Sequence, residues 1–337
     1  MNILKPLDQK RVEYLDILRG LGIIFIVIGH ISYNDALLNW LYSFHVPLFF
    51  FAAGAVYKKR SVIRDLKRRA MTVLVPYFSF GALEVIYWQL FERRFRPSDM
   101  GFGKSVLGLL IGQYDYLDFN SHLWFLPCFF VTAVLFNTLV NVGGKGLAYA
   151  VAAAMSAVYI FVPLPELPFG ANRVFRYMVF YAVGVLASDV DLAEKYTRQN
   201  TALKMTEAYL LLAASTALSY FGLTSGAMYF ITASIGTCGV FFVSLGIGKC
   251  RPLQYLGRIS LVILCIHGAV YRILLKLLSL LVNTDTDAVR EHLYWVMPVA
   301  ALTLVICAGA YEIIVRTVPI MIGKKRTKNS REGANRI

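Results

Sequence analysis

The segment Asp16–His30, DILRGLGIIFIVIGH, is the most informative part of this chain about its architecture. It is an apolar run with one guanidinium near its start, Arg19, and one imidazole at its end. Eleven residues are three helical turns plus about 20°, so on a helix the two side chains point the same way, about 16 Å apart along the axis. A bilayer core is about 30 Å thick, and ionisable groups held within it are costly and mark a site or a pathway.

The rest of the chain has the same apolar character. Of its 337 residues 58% are apolar and only 16% are charged, whereas a soluble protein carries about a quarter charged residues. Helices satisfy their own backbone in lipid, so the composition predicts an all-α, polytopic membrane protein that forms one domain over residues 1–337. The ten predicted spans are 15–34, 38–57, 70–91, 122–141, 146–164, 173–190, 205–222, 226–247, 259–281 and 294–316.

The basic residues predict the orientation of the chain. An even number of spans places both termini on one side, and that side holds 24 Lys and Arg against 7 on the other. The positive-inside rule therefore predicts that both termini are cytoplasmic, including a basic tail at about 317–337. The same rule, with anionic lipid, accounts for the net charge of +14, so we expect no nucleic-acid partner. Five scattered cysteines without a CxxC motif suggest neither a disulfide framework nor a metal site.

A basic segment at 58–69 follows the second predicted span and has two interpretations. It suits a short amphipathic helix whose basic side chains anchor lipid headgroups, as Lys and Arg of any inner loop do. Alternatively, it forms a rim that binds the phosphates of an anionic cytosolic ligand. The second interpretation makes donor-binding candidates of Lys58, Lys59, Arg68 and Arg69.

Other polar side chains lie in or beside the apolar spans. Glu84 should face the helical bundle or become neutral, because an unpaired carboxylate is expensive in lipid. Arg272 and Lys276 share one helical face, which predicts a polar cavity or an anchor at the outer interface. Arg176 could snorkel outward or offer bidentate donors to an anion.

Three further histidines, His45, His122 and His267, each have a structural and a functional interpretation. His122 and Trp124 suit an aromatic interfacial belt, although His122, like His45, could line the mouth of an acceptor site. His267 could line a cavity, and a hydrogen bond that bridges helices explains it equally well. The substrate-binding candidates among the residues of the spans are therefore His45, Glu84, His122, Trp124, Arg176, His267 and Arg272.

Six sequence motifs follow one another along the chain. They are Asp16-x-x-Arg19-Gly20 with Arg19-x10-His30, Phe44-His45-x-Pro47-Leu48-Phe49-Phe50-Phe51-x-x-Gly54, the basic run ending in Arg69 with Pro76-Tyr77, His122-Leu123-Trp124-Phe125-Leu126, Arg176-Tyr177-x-x-Phe180-x-x-x-Gly184, and Leu256-Gly257-x-x-Ser260 with His267. In this order they resemble the integral-membrane acyltransferase family 3, whose members include O-acetyltransferases of bacterial surface glycans; the fucose-acetylase-like group is a loose match. The resemblance implies an enzyme of the bacterial inner membrane that uses acetyl-CoA as a substrate, binds no cofactor, and acts on a glycan or lipid-linked sugar. It also implies that Arg19 and His30 are essential.

The chemistry of acyl transfer suggests a division of labour among these residues. A base must take the proton of the acceptor hydroxyl, and imidazole suits that role near neutral pH. Our hypothesis is that His30 is this base or briefly accepts the acetyl group, and that Arg19, held by Asp16, orients the phosphate end of acetyl-CoA. The simpler alternative is an Arg–carboxylate link and a hydrogen-bonded histidine that only tie helices together.

Two other functions compete with acyl transfer. A proton-coupled transporter could use His30, Glu84 and Arg272, although the paired broken helices typical of carriers have no convincing repeat here. A non-catalytic membrane scaffold would tolerate replacement of Arg19 and His30. The sequence leaves the oligomeric state open, a homo-oligomer included.

Overall fold

The computed structural model describes residues 13–96 and 99–324, and within these ranges the chain is helical without a β-strand. A five-residue π-helical turn, Ala70–Leu74, joins the third helix to the fourth. The helices are α1 Glu13–Ile31, α2 Asp35–Gly54, α3 Val62–Arg69, α4 Val75–Leu90, α5 Phe102–Ile111, α6 Phe125–Phe161, α7 Ala171–Asp189, α8 Leu192–Thr197, α9 Thr201–Tyr220, α10 Gly226–Ile247, α11 Arg251–Leu281, α12 Thr286–Glu291 and α13 Leu293–Thr317.

The predicted fold class, an all-α polytopic membrane protein, is confirmed. Seven helical segments of the described chain are long and apolar enough to cross a membrane, and they contain α1, α2, α3 with α4, α6, α10, α11 and α13. Each of the ten predicted spans is largely helical, but the number of spans and the side of the termini stay predictions. Of the predicted basic tail, residues 325–337 lie outside the described residues.

Helix α6 contains both the fourth and the fifth predicted span. It breaks at Gly143 and Gly144, where Gly144 has φ +78° and ψ −178°. Residues with a Cβ rarely adopt that backbone conformation, so glycine is the residue that permits the break between the two parts of the helix. The two predicted spans are therefore two helices that meet at this break.

Helix α1 occupies the centre of the bundle. It contacts α2, α10, α11 and α13, and most of its residues, among them Ile17, Leu18, Ile23 and Val27, are buried. A helix that is apolar on all sides suits either a protein core or a membrane span, and the burial of α1 shows that it lies in the core. The central position of α1 places Arg19 and His30 inside the bundle, where they face cavities rather than lipid.

Four glycines bring two pairs of helices into backbone contact. A Cβ on Gly257 of α11 would lie 1.8 Å from the carbonyl oxygen of Asp16, and one on Gly20 of α1 would lie 2.1 Å from that of Leu253. The same holds between α2 and α7, where Gly54 and Gly184 approach the partner backbone. Small residues permit such close packing of membrane helices. All four glycines belong to the sequence motifs quoted above, so these motif positions have a packing role.

We expect Gly257→Ala to destabilise the protein by about 3 kcal/mol, because the new methyl group must push α1 and α11 apart. A smaller fraction of the detergent-solubilised protein should then be monodisperse, and its melting temperature in detergent should fall. Gly309→Ala on α13 is the matched control, since apart from its own stretch of helix no atom of the described residues lies within 4 Å of its Cβ position. Equal melting temperatures for the two variants would contradict the proposed close contact.

Candidate functional site

Three histidines from distant parts of the chain meet at one end of α1. His30 is the penultimate residue of α1, His122 lies in a 3-10 turn before α6, and His267 lies in α11. The ring centroids of His30 and His122 are 3.8 Å apart, and those of His122 and His267 are 4.6 Å apart. One ring nitrogen from each of the three lies within 4.8 Å of the others. We call these three residues the histidine cluster.

Hydrogen bonds fix the rings of His122 and His267. Asn120 donates from Nδ2 to the carbonyl of Cys265 at 2.9 Å, which leaves its Oδ1 to accept from His122 Nδ1 at 3.0 Å. His267 Nδ1 lies 2.9 Å from the carbonyl oxygen of Ile263 in its own helix. Carbonyl oxygens only accept, so the proton of each ring sits on Nδ1 and the lone pair is on Nε2.

The ring of His30 is held less tightly than the other two. It is partly exposed, and its Nδ1 lies 3.4 Å from the hydroxyl of Tyr42, which donates to the carbonyl of Gly29. His45 is further away, with its ring centroid 6.5 Å from that of His30, and its Nδ1 donates to the Leu41 carbonyl. Arg290 donates to the carbonyls of His30 and Ile31, so it caps the carboxyl end of α1.

Two residues of the cluster, His30 and His122, line a cavity of about 800 Å³, which we call the histidine cavity. His267 could have lined a cavity, but it is fully buried and lines neither this cavity nor the others described below. Arg272 and Lys276, predicted to face a polar cavity or the interface, line it. Arg272 is paired with the buried carboxylate of Glu92 at 2.6 Å. Glu84 is buried within the bundle, as its burial cost predicted, and does not contribute to the lining.

A second cavity of about 710 Å³ lies at the other end of α1, and we call it the basic cavity. Arg19 reaches it from α1, where its guanidinium is 3.9 Å from Asp16 and donates to the carbonyl of Ala52. Lys59, a predicted donor-binding residue, does not line this cavity. Its charged lining residues are Asp16, Arg19, Lys58, Arg60, Arg68 and Arg69.

The basic segment is fixed in place beside this cavity. The side chain of Asn137 in α6 accepts from the backbone N–H of Arg60 and donates to its carbonyl. Arg69 donates to the buried carboxylate of Asp65 at 2.7 Å and to the hydroxyl of Tyr181 in α7 at 3.2 Å. These contacts turn part of the basic segment toward Arg19, whereas Ile63 and Leu66 remain exposed, as expected of an amphipathic surface helix.

Two smaller cavities lie between the histidine cavity and the basic cavity. The aromatic cavity, of about 370 Å³, is lined by His30, His45 and His122 together with Trp124 and Arg176. The apolar waist has a volume of only about 90 Å³. Its lining residues are Ile23, Ile26, Phe49, Val73, Phe125, Leu126, Phe129, Ser260, Leu261 and Leu264.

The four cavities follow one another because each shares lining residues with the next. Val73 and Phe129 line both the basic cavity and the apolar waist. Ile26 and Leu264 are among the residues that line both the waist and the aromatic cavity, and His30 and His122 line both the aromatic and the histidine cavities. The series therefore runs from Arg19 to the histidine cluster along α1.

Sequence reasoning did not single out four residues of this arrangement. Arg60 lines the basic cavity, and its only signal was its place in the basic run. Glu92 pairs with Arg272 from a short 3-10 turn, and Asn120 orients His122 from two residues away. Arg290 caps α1 from a predicted outer loop. The sequence around Glu92, Asn120 and Arg290 contains no motif that indicates which residue each of them contacts.

The comparison with known families agrees with this architecture. A family model described as an acyltransferase domain matches residues 12–312, so the chain belongs to the integral-membrane acyltransferase family 3. It is an acyltransferase of the membrane, which implies an acyl donor, an acceptor and membrane lipid as its partners. No curated protein and no solved structure matches the chain. Membership in this family favours the enzyme over the transporter and the scaffold.

Proposed function

We propose that this protein is an O-acetyltransferase of the bacterial inner membrane, which moves an acetyl group from cytosolic acetyl-CoA to a hydroxyl of an extracytoplasmic or lipid-linked surface glycan. The observation that carries this proposal is the series of cavities from Arg19 to the histidine cluster. Both residues face this series, as their spacing on α1 predicted. A donor on one side of the membrane can thus meet an acceptor on the other.

The basic cavity suits the phosphate-bearing end of acetyl-CoA. Guanidinium groups bind phosphate oxygens through paired hydrogen bonds, and Arg19, Arg60, Arg68 and Arg69 surround this cavity. The distance from Arg19 to His30 along α1 is about 16 Å by helical rise, which is comparable to an extended pantetheine arm. The arm then passes the apolar waist, and its thioester reaches the histidine cluster.

The histidine cluster suits the reacting groups. His30 takes the proton of the acceptor hydroxyl as that oxygen bonds to the thioester carbonyl carbon. The carbon–sulfur bond then breaks, the sulfur leaves as the thiol of CoA after receiving a proton, and the acetyl ester stays on the acceptor. In the two-step variant, His30 itself carries the acetyl group between these events. In both mechanisms Asn120 keeps the ring of His122 beside that of His30.

The histidine cavity suits a sugar with an attached lipid. Its polar lining offers Arg96, Asp118 and Lys276 as hydrogen-bonding partners for hydroxyl or phosphate groups. Phe95 and Leu277 line the same cavity and are 77% and 53% exposed, so its wall continues onto the apolar outer surface of the protein. An acceptor with a sugar head and a lipid tail would match both parts of this lining.

Reconstitution in liposomes tests the proposed function. Acetyl-CoA supplied to the side of the basic cavity should be consumed only when a glycan acceptor is present, and the acceptor should gain the mass of one acetyl group. A deletion strain should correspondingly lose acetyl groups from its surface glycan. Passage of acceptor or protons without acetyl-CoA consumption would instead support a transporter.

The apolar waist gives a separate prediction. We expect Ser260→Phe to lower acetyl transfer at least tenfold while acetyl-CoA still binds, because the new ring fills most of a cavity of about 90 Å³. Ala301→Phe is the matched control, since Ala301 is exposed on α13. Transfer at the wild-type rate by a folded Ser260→Phe variant would place the path of the donor elsewhere.

A further inference from the structure

The histidine cluster has the composition of a transition-metal site. Three neutral imidazoles are the ligand set that Zn²⁺ takes in sites with an open fourth position. Such a set favours Zn²⁺ over Mg²⁺ or Ca²⁺, which prefer carboxylate and carbonyl oxygens. The three rings come from separate elements of the bundle, so no short sequence motif announces the set.

The hydrogen bonds of the cluster prepare two of the rings for a metal. Metal-binding histidines usually donate the N–H of the other ring nitrogen to an acceptor, which fixes the ring and its tautomer. His122 does so to Asn120, and His267 to the carbonyls of Ile263 and Leu264. His267 Nε2 is fully buried and has no hydrogen-bond partner among the described residues. Its lone pair therefore needs a partner that the described side chains do not supply.

To bind an ion, the three ring nitrogens would have to move closer together by up to about 1.4 Å. In a tetrahedral zinc site with Zn–N bonds of 2.0–2.1 Å, the ligand nitrogens are about 3.4 Å apart. The three ring nitrogens already lie within 4.8 Å of one another. His30 is the ring that can adjust, because it is partly exposed and has only a 3.4 Å contact with Tyr42.

We propose that His30, His122 and His267 form a binding site for Zn²⁺, and that an ion bound there blocks acyl transfer. The blocking rests on the proposed function, because a metal bonded to His30 takes the lone pair that accepts the hydroxyl proton. The binding itself does not depend on that function. Zinc in the extracytoplasmic space would then reversibly inhibit the enzyme.

Binding is tested first, on purified full-length protein without a polyhistidine tag and treated with chelator. Equilibrium dialysis should give one Zn²⁺ per chain, and Co²⁺ as a probe should show the visible absorption of a four-coordinate ion. His122→Gln and His267→Gln should each weaken binding at least tenfold, whereas His292→Gln should bind as the wild type does. His292 is the matched control, since it is exposed and lies outside the cluster.

Thermal unfolding separates loss of the site from loss of the fold. Zn²⁺ should raise the melting temperature of the wild type and of His292→Gln, because a ligand that binds only the folded state stabilises it. It should leave the melting temperatures of the two cluster variants unchanged. Absence of a shift in the wild type, or equal binding by the cluster variants, would overturn the proposed site.

Inhibition is tested last, with the liposome assay described above. Zn²⁺ should stop wild-type transfer, and chelator should restore it, whereas any activity retained by His267→Gln should need at least tenfold more Zn²⁺ for the same inhibition. Bound Zn²⁺ without inhibition would overturn the blocking role and leave the site. A protein that binds Zn²⁺ but transfers no acetyl group even after chelator has removed the metal would instead count against the proposed function.

Discussion

Replacement of His30 by alanine is expected to lower acetyl transfer by a factor of at least about 10² to 10⁴, the usual contribution of a positioned general base. The variant loses the imidazole that faces both the aromatic and the histidine cavities. Its affinity for acetyl-CoA should stay within about twofold of the wild type. The reason is that, under the proposed function, the phosphates of the donor bind in the basic cavity, at the opposite end of α1.

Two measurements on the same preparation check this prediction. Transfer is followed in liposomes with saturating acceptor, and donor binding is followed by equilibrium dialysis of labelled acetyl-CoA. His292→Ala is the control for loss of an imidazole outside the cluster and should behave as the wild type does. If His30→Ala loses donor binding together with transfer, His30 is not the base proposed here.

Replacement of Arg19 by alanine is expected to raise the KM for acetyl-CoA by about 10- to 100-fold. A hydrogen bond to a charged group contributes about 1.5–3 kcal/mol, and Arg19 faces the basic cavity beside Asp16. The effect should fall mainly on donor kinetics, because the histidine cluster lies beyond the apolar waist. The KM for the acceptor should change little.

Steady-state kinetics with each substrate varied in turn separates these effects. Arg64→Ala is the matched control, since Arg64 belongs to the same basic segment but is exposed and does not line the basic cavity. An unchanged KM for acetyl-CoA in the Arg19 variant would remove Arg19 from the donor path. A similar rise in the Arg64 variant would point to a general effect of surface charge on the anionic donor.

The features of the fold that the lipid environment requires could be predicted from the sequence. Apolar runs of sufficient length predicted the helices, and the eleven-residue spacing predicted that Arg19 and His30 face the same series of cavities. The break within α6 was visible as a gap between two predicted spans, because Gly143 and Gly144 interrupt the apolar run. These features depend on local sequence, which periodicity can report.

The candidate site followed only in part, because its contacts join distant segments. Nothing in the sequence around His122 or His267 indicates that their rings lie beside His30. The basic segment had two interpretations because every inner loop gathers Lys and Arg. What turns part of it toward Arg19 is a pair of remote contacts, Asn137 with Arg60 and Tyr181 with Arg69.

The apolar waist should prevent protons and ions from leaking across the membrane through this protein. A void of about 90 Å³ whose lining is apolar except for Ser260 offers too few polar partners to hold water, and a dry gap does not conduct protons or ions. The basic and histidine cavities would thus stay separated, and the protein would not discharge the transmembrane voltage. The pantetheine arm of acetyl-CoA, under the proposed function, is narrow enough to pass the apolar waist without opening it to water.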